Sequence, residues 1–514
     1  MLRKLLIANR GEIAVRIARA CRELGVACVA VYSDADKASP HVTAATESVP
    51  IGPAEARASY LDPAKLVEAA KATGCDSVHP GYGFLSENAA FAQACLDASL
   101  VFVGPPPGVI RELGDKTRAR ALMQKAGVPV LPGTEPHAGW SPELAAKAGQ
   151  LGYPVLVKAA AGGGGKGMRV VRSEAELRSA VEASVREATS AFADGRVFLE
   201  KLLERPRHVE FQILADGSGN VVHLLERECS IQRRHQKILE ETPSPALDPA
   251  LRQRMGLAAV EAARATGYVN AGTVEFLLAQ EGDFYFLEVN TRLQVEHPIT
   301  EAITGLDLVA WQLRIAAGET LTFGQTDVSA RGHAMECRIY AEDPANGFLP
   351  SVGTITALAE SAGPGVRVDS GLCAGLEIGI HYDPMLAKLI VHGSDREACR
   401  HRLLEALSAY HVHGVATNVS YMKAVAGHPA FAAGDTHTGF LAEHLPDGAS
   451  PGRENRTLAL AAAALFLSRP ARPGPSAAQA SPLASSPWNE LGSWQNGNGG
   501  RLLPGAKPGP QDKP

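Results

Sequence analysis

Hydrophobic positions follow two rhythms over the first hundred residues. Short apolar runs at 5–9, 27–32, 76–79 and 100–103 alternate with stretches at 12–20, 63–72 and 87–98, where apolar residues recur every three or four positions. The first rhythm predicts buried strands and the second predicts amphipathic helices. Residues 1 to about 110 therefore read as a parallel α/β unit. Ligands bind beyond the C-terminal ends of such strands. Two loops there are polar and carry glycine: Asn9-Arg10-Gly11-Glu12 and the stretch HPGYGFLSEN at 79–88.

Further along, a helical stretch at 116–126 stops at Gly127-Val128-Pro129, and residues from about 131 to 203 read as a small α+β unit. Inside it, a strand at 154–159 enters Gly162-Gly163-Gly164-Gly165-Lys166-Gly167, and a strand at 168–171 leaves. Gly162, Gly164 and Gly167 fit GxGxxG, but a dinucleotide site needs a helix next and a strand follows. The Walker pattern fails too, with Ala160 at its first glycine and Gly167 at its Ser or Thr. Strand, glycine loop and strand predict a mobile hairpin whose amides close over phosphate, with Lys158 and Lys166 adding positive charge. Strands at 273–278 and from 284 onward flank Glu281-Gly282-Asp283, a hairpin turn. A third unit spans 333–445 with a strand at 335–340, and the Ala-, Pro-, Ser- and Gly-rich residues 468–514 predict disorder.

Composition narrows the class. The 514 residues, 45% hydrophobic and 20% charged, suit a globular protein of roughly three domains. A net charge of −5 argues against general nucleic-acid binding. Eight scattered cysteines without a CxxC fit a reduced, cytoplasmic protein better than a disulfide or zinc framework. No basic-then-apolar leader precedes the first strand, and the longest apolar run, 458–467, is too short to span a bilayer.

The candidate chemistry concentrates at 288–298, EVNTRLQVEHP. If the strand from 284 continues extended, Glu288, Asn290, Arg292, Gln294 and Glu296 share one face, and Val289, Leu293 and Val295 share the other. Glu275, on the preceding strand, is placed to face Glu288. Opposed like charges destabilise a sheet, so Glu275, Glu288 and Asn290 suggest a hard divalent cation beside phosphate oxygens.

Eight stretches carry a resemblance to a known family: KLLIANRGEIAVRI at 4–17, HPGYGFLSEN at 79–88, GGGGKGMR at 162–169, PRHVEFQ at 206–212, RECSIQRRHQK at 227–237, EVNTRLQVEHP at 288–298, ECRIYAEDP at 336–344 and YDPMLAK at 382–388. With these in this order, the chain resembles the biotin carboxylase component (α chain) of biotin-dependent acyl-CoA carboxylases, in the ATP-grasp superfamily. The resemblance implies an N-terminal α/β (pre-ATP-grasp) domain at 1–110 and an ATP-grasp domain at 116–325 with a glycine-rich lid at about 131–203. It implies a C-terminal biotin carboxylase domain at 333–445 and a linker and tail at 446–514. The implied activity is ATP- and bicarbonate-dependent carboxylation of biotin through carboxyphosphate, with Mg2+ or Mn2+.

Residue by residue, the resemblance assigns ATP to Lys116, Lys158, Gly163, Gly164, Gly165, Lys166, Glu200, Lys201, Leu203, His208, His235 and Leu277. It assigns metal to Glu275, Glu288 and Asn290, and bicarbonate or biotin to Lys237, Arg292, Gln294, Val295, Arg338 and Tyr82. Arg292, Lys237, Arg338 and Glu296 are the implied catalytic set, with Glu296 deprotonating bicarbonate and Arg338 beside the biotin oxygen. The implied partners are a biotin carboxyl carrier protein or other biotinylated chain and a carboxyltransferase (β) subunit, in a homodimer or larger complex.

Multi-domain relatives carry a biotinyl lysine in an Ala-Met-Lys-Met setting, whereas the last methionine here is Met422. Biotin is therefore expected from another chain. Ser486-Pro487-Trp488-Asn489 and Gly492-Ser493-Trp494 resemble the linker of methylcrotonyl-CoA-type α chains, which suggests either a free-standing subunit or a shortened α chain. Two other readings are a different ATP-grasp ligase joining a carboxylate to an amine, and a non-catalytic nucleotide-binding assembly subunit. The stretches at 79–88 and 336–344 disfavour the first, and the complete set of Glu275, Glu288, Arg292, Glu296 and Arg338 disfavours the second.

Overall fold

The first strand shows how the N-terminal unit is built. In β1 (Lys4–Ile7), Leu5 and Ile7 pack on one side with Ile13 and Ile17 of the helix Gly11–Glu23, while Leu6 packs on the other with Val29 and Val31. Both faces are covered, as expected for a parallel sheet whose strands are apolar throughout. With β2 (Ala27–Ser33), β3 (Glu47–Gly52), β4 (Ser77–His79) and β5 (Val101–Phe102) it forms a parallel sheet in the order β3-β2-β1-β4-β5. The hydrophobic pattern misses β3. That edge strand has exposed residues and contains Pro50, so it carries little of the apolar signal that marks the inner strands.

The computed structural model describes residues 2–160, 168–192 and 194–446. The glycine loop, including Gly163, Gly164, Gly165 and Lys166, lies outside them, as does the tail whose disorder the composition predicts. No helix among the described residues is long and apolar enough to cross a membrane.

The lid region has its own small sheet. Strands β6 (Val155–Ala159) and β7 (Arg169–Val171) pair antiparallel as a hairpin, and β8 (Val197–Lys201) lies on the other side of β6. Leu144, Val155, Val157, Leu177, Val181 and Leu199 form a core separate from the others.

Eight antiparallel strands make the second large sheet. Its first six are β9 (Arg207–Ala215), β10 (Val221–Arg233), β11 (Gln236–Thr242), β12 (Asn270–Leu278), β13 (Phe284–Asn290) and β14 (His333–Tyr340). The order is β13-β12-β9-β10-β11-β14, followed by the strands Met385–Gly393 and Val366–Ser370. The sequence divides residues 204–320 from 333–445, but the hydrogen bonding does not: β14 pairs directly with β11, Glu240 opposite Glu336. The C-terminal region thus extends the sheet of β9 to β13 rather than standing apart from it.

Candidate active site

The turn between β12 and β13 sets Glu275 directly opposite Glu288, as the spacing predicts. The expected extended face continues only to Asn290. There β13 ends, the chain bends, and Glu296 becomes the cap residue of the helix His297–Thr304, whose first turn holds Pro298. Strand alternation therefore does not bring Arg292, Gln294 and Glu296 together. Arg292 and Gln294 still lie on the cleft side with Glu288 and Asn290, bonded to each other, while Glu296 turns away to Lys237 and Arg338. Arg292 donates to Glu87 (3.0 Å), Gln294 (2.8 Å) and Asn290 (3.0 Å), and Gln294 donates to Glu275 (3.0 Å). Val295, expected on the packed face, lines the cleft.

The cleft, about 1580 Å³ in volume, opens beyond the C-terminal ends of β1 and β4, where Asn9, Arg10, Tyr82 and Gly83 form one wall. Around it stand Lys116, Lys158, Glu200, Lys201, Leu203, His208, His235, Lys237, Glu275, Leu277, Glu288, Asn290, Arg292, Gln294, Val295 and Arg338. Glu296 does not line it. It is fully buried behind Lys237 and Arg338.

Lys237 forms the hub. Its ammonium reaches Glu275 at 2.7 Å and Glu296 at 2.9 Å, and it also bonds Glu210. Burial opposes its charge, but Glu210, Glu275 and Glu296 outweigh this and push its pKa well above the usual lysine range. Burial alone would raise the Glu296 carboxyl. Lys237, Arg338 and Arg227 reverse that and hold it well below the ordinary range. Glu275 behaves in the same way, with Lys237 and His208 overcoming burial. It accepts from His208 Nε2 and Asn290 Nδ2, each at 2.8 Å.

Arg338 bonds Glu240 through Nε (2.7 Å) and Glu296 through Nη2 (2.8 Å). Glu240 is pushed up to about 7 by burial, which Arg338 only partly offsets.

The metal candidates meet a test in this geometry. Burial at the cleft wall and the facing Glu275 carboxylate both raise the Glu288 pKa, and its nearest cation, Lys116, is 3.8 Å away. Glu288, a carboxylate short of positive charge opposite Glu275 and with the Asn290 amide alongside, fits a hard divalent cation. Asp115 caps the helix Lys116–Lys125, accepting from the Thr117 and Arg118 amides, and so fixes Lys116 at the cleft edge.

At the lid hinge, Lys158 and Arg120 each lie 2.9 Å from the Glu200 carboxylate. Lys201 donates to the carbonyls of Gly152 (2.8 Å) and Tyr153 (3.3 Å), which ties β8 to the turn before β6. Leu131, Leu156, Met168, Leu203, Leu277 and Leu287 make this end of the cleft apolar, a fit for a planar base. Arg234 and His235 form the exposed two-residue tip of the β10–β11 hairpin, both with positive φ. Arg233 is no solvated turn residue: its guanidinium lies over the Phe348 ring and pairs with Glu342.

Glu87, Glu210, Arg227 and Glu240 are functional neighbours that the sequence pattern does not single out. Glu210 and Arg227 are wholly buried and bonded to each other. For Glu210 the available signal was a charged residue between Val209 and Phe211 in a strand run, since such residues are rarely buried without a partner.

Comparisons with known proteins agree with this architecture. Residues 1–110 match the biotin carboxylase N-terminal domain, 115–323 the carbamoyl-phosphate synthase L chain ATP-binding domain, and 336–443 the biotin carboxylase C-terminal domain. Biotin carboxylase 2 of Bacillus subtilis is 51% identical over 445 residues, covering 87% of this chain and 100% of its own length. The mitochondrial methylcrotonoyl-CoA carboxylase α subunit of Dictyostelium discoideum is 48% identical over 96% of this chain and 70% of its own length. The chain spans 62% of the mouse methylcrotonoyl-CoA carboxylase α subunit. Among solved structures, the biotin carboxylase domain of Hydrogenobacter thermophilus 2-oxoglutarate carboxylase, in complex with ADP, MgADP and bicarbonate, superposes with a TM-score of 0.83 at 44% identity, over 88% of this chain and 100% of that one. The chain belongs to the biotin carboxylase family of ATP-grasp ligases, and its activity is the ATP- and bicarbonate-dependent carboxylation of biotin.

Proposed function

We propose that the cleft divides its work along its length. Nucleotide occupies the end between the lid and the leucines around Leu277, with Lys116, Lys158, His208 and His235 toward its phosphates. Glu275, Glu288 and Asn290 hold Mg2+ or Mn2+, which when bound offsets phosphate charge. Bicarbonate sits against Arg292, Gln294 and Val295, and Glu296 takes its proton. The bicarbonate oxygen then attacks the γ-phosphorus and ADP leaves, giving carboxyphosphate, which releases carbon dioxide and phosphate. The released phosphate takes the ureido N–H proton of biotin, and the resulting nitrogen anion adds to the carbon dioxide, with Arg338 opposite the ureido oxygen and Tyr82 along the ring.

The observation that carries this reading is the position of Glu296 between Lys237 and Arg338. An anionic substrate competes for both cations. As they turn toward it, burial raises the basicity of Glu296 at the point where a base is needed. Biotin arrives on a carrier chain, and a carboxyltransferase chain selects the final acceptor within a homodimeric or larger assembly. Methylcrotonoyl-CoA carboxylase α subunits and a pyruvate carboxylase chain of Methanothermobacter thermautotrophicus, 53% identical, match comparably. The acceptor is therefore assigned to the partner and not to this cleft.

The test is ATP cleavage measured with bicarbonate, with and without free biotin. Cleavage that needs bicarbonate and rises with biotin supports the reading. Nucleotide binding without any cleavage would replace it with the non-catalytic nucleotide-binding assembly role.

A further inference from the structure

The cleft wall that carries the base is not a regular element, so something must hold its shape. Residues 291–296 run between the end of β13 and the helix His297–Thr304 and are tied from three sides. Glu87, from the N-terminal unit, accepts from the Thr291 amide at 3.2 Å. Glu275 accepts from Gln294. The third tie comes from the C-terminal region, where the Lys388 ammonium donates to the Val295 carbonyl at 2.9 Å.

Lys388 has no exposed surface at all. Burying an ammonium costs several kcal/mol unless it is well paired, so packing alone would be served better by an apolar residue. Its counter-ions are Glu12 at 3.3 Å, from the helix after β1, and Asp369 at 3.9 Å, from the strand Val366–Ser370. Glu12 is also buried, and its carboxylate oxygens make no hydrogen bond. Burial, only partly offset by Lys388, pushes it up to about 7. Asp369 is already engaged by both arms of Arg367, and burial holds the nearby Glu336 carboxyl well above the usual range, so Glu12 is the closest counter-charge to Lys388.

The register supplies the remaining link. Lys388 lies directly opposite Arg338 in the pairing of β14 with Met385–Gly393. Paired residues of an antiparallel ladder place their side chains on the same face. Two adjacent cations thus hold two consecutive residues: Lys388 grips the Val295 carbonyl, and Arg338 grips the Glu296 carboxylate.

We propose that Lys388, neutralised by Glu12, is a positioning residue that fixes the Val295–Glu296 peptide and thereby aims the Glu296 carboxylate at bicarbonate. The assignment rests on Glu296 acting as the base. It gives a role to two residues in the stretches at 4–17 and 382–388, and it makes all three regions of the chain necessary for proton removal.

The test uses the full chain with Lys388→Met, Glu12→Gln and the double variant, which removes the ion pair as a unit; the neighbouring Glu336, held well above the usual carboxylate range by burial, is neutral and does not need Lys388 as a counter-ion. In the double variant, the thermal unfolding temperature and the KM for ATP should match the parent. Bicarbonate-dependent kcat should fall about a hundredfold, the cost of misplacing a reacting group by about 1 Å. Amide exchange across 293–297 should quicken while that of β9 stays unchanged. Glu12→Gln, which keeps the bond to Val295, should lose less than Lys388→Met.

A folded double variant with the parent's bicarbonate kinetics would overturn the proposal. So would equal losses in ATP binding and turnover, because they would make the pair a general structural bridge. A parent enzyme without bicarbonate-dependent ATP cleavage would instead remove the functional reading, and this positioning role with it.

Discussion

Glu296, the proposed base, is held in its weakest form. Lys237, Arg338 and Arg227 keep it ionised against burial, so in the free enzyme its titration lies far on the acid side of neutrality. Removing one cation lets burial regain ground and raises that pKa. The ionised form is then lost at a higher pH as acid is added. Arg338→Ala should therefore move the acid limb of the pH profile for bicarbonate-dependent ATP cleavage upward, while biotin carboxylation falls by about 10²–10³, the usual cost of one oxyanion donor. An unmoved acid limb would show that Arg338 does not tune the base. Glu288 illustrates the opposite case, a carboxylate raised by burial and by facing Glu275. Glu288→Gln removes that repulsion, so unfolding without ligand should not become easier. The thermal stabilisation that the parent gains from Mg-ATP should largely disappear. A retained Mg-ATP shift would place the metal elsewhere.

At the scale of elements, the lid is joined to the body by few bonds, and Arg120 makes two of them. From the helix Lys116–Lys125 its guanidinium donates to Glu200 on β8 at 2.9 Å and also to the Leu131 carbonyl. It thus clamps both hinge crossings. Arg120→Ala should raise the KM for ATP roughly tenfold, in line with loss of a charged hydrogen bond, and leave the KM for bicarbonate unchanged. Steady-state kinetics with each substrate varied in turn will separate the two. The lid's hairpin strands β6 and β7 were legible from sequence, whereas its helices Pro142–Leu151 and Glu174–Phe192 and the strand β8 were not placed. Nor was Arg120 legible, because a polar residue in a helical stretch gives no hint of a partner 80 positions away.

For the whole molecule, the shared eight-stranded sheet is decisive. A fragment ending near residue 330 would expose the β11 edge that β14 covers and would leave Glu240 without Arg338. Unpaired edges and unpaired buried charges both penalise such a fragment. It should be insoluble or lack a cooperative transition, as judged by far-UV circular dichroism on heating. The full chain should show cooperative unfolding of the body. A soluble, cooperatively folding fragment would mean that the C-terminal strands are an accessory.

Local pattern was enough for the parallel α/β start, the strands flanking the glycine loop and the Glu275–Glu288 hairpin. Each follows from contacts between near neighbours, whose periodicity or spacing is written locally. The sequence also carried the family resemblance, through short stretches in a fixed order. Tertiary structure decided where the strand from 284 stops, that Glu296 is buried behind Lys237 rather than lined up with Arg292, and that the last two regions share one sheet. Those outcomes depend on charges brought together across long separations: Lys237 with Glu296, 59 positions apart, and Lys388 with Val295, 93 apart. A buried charge takes whichever partner the fold delivers, and no local pattern records which one that will be.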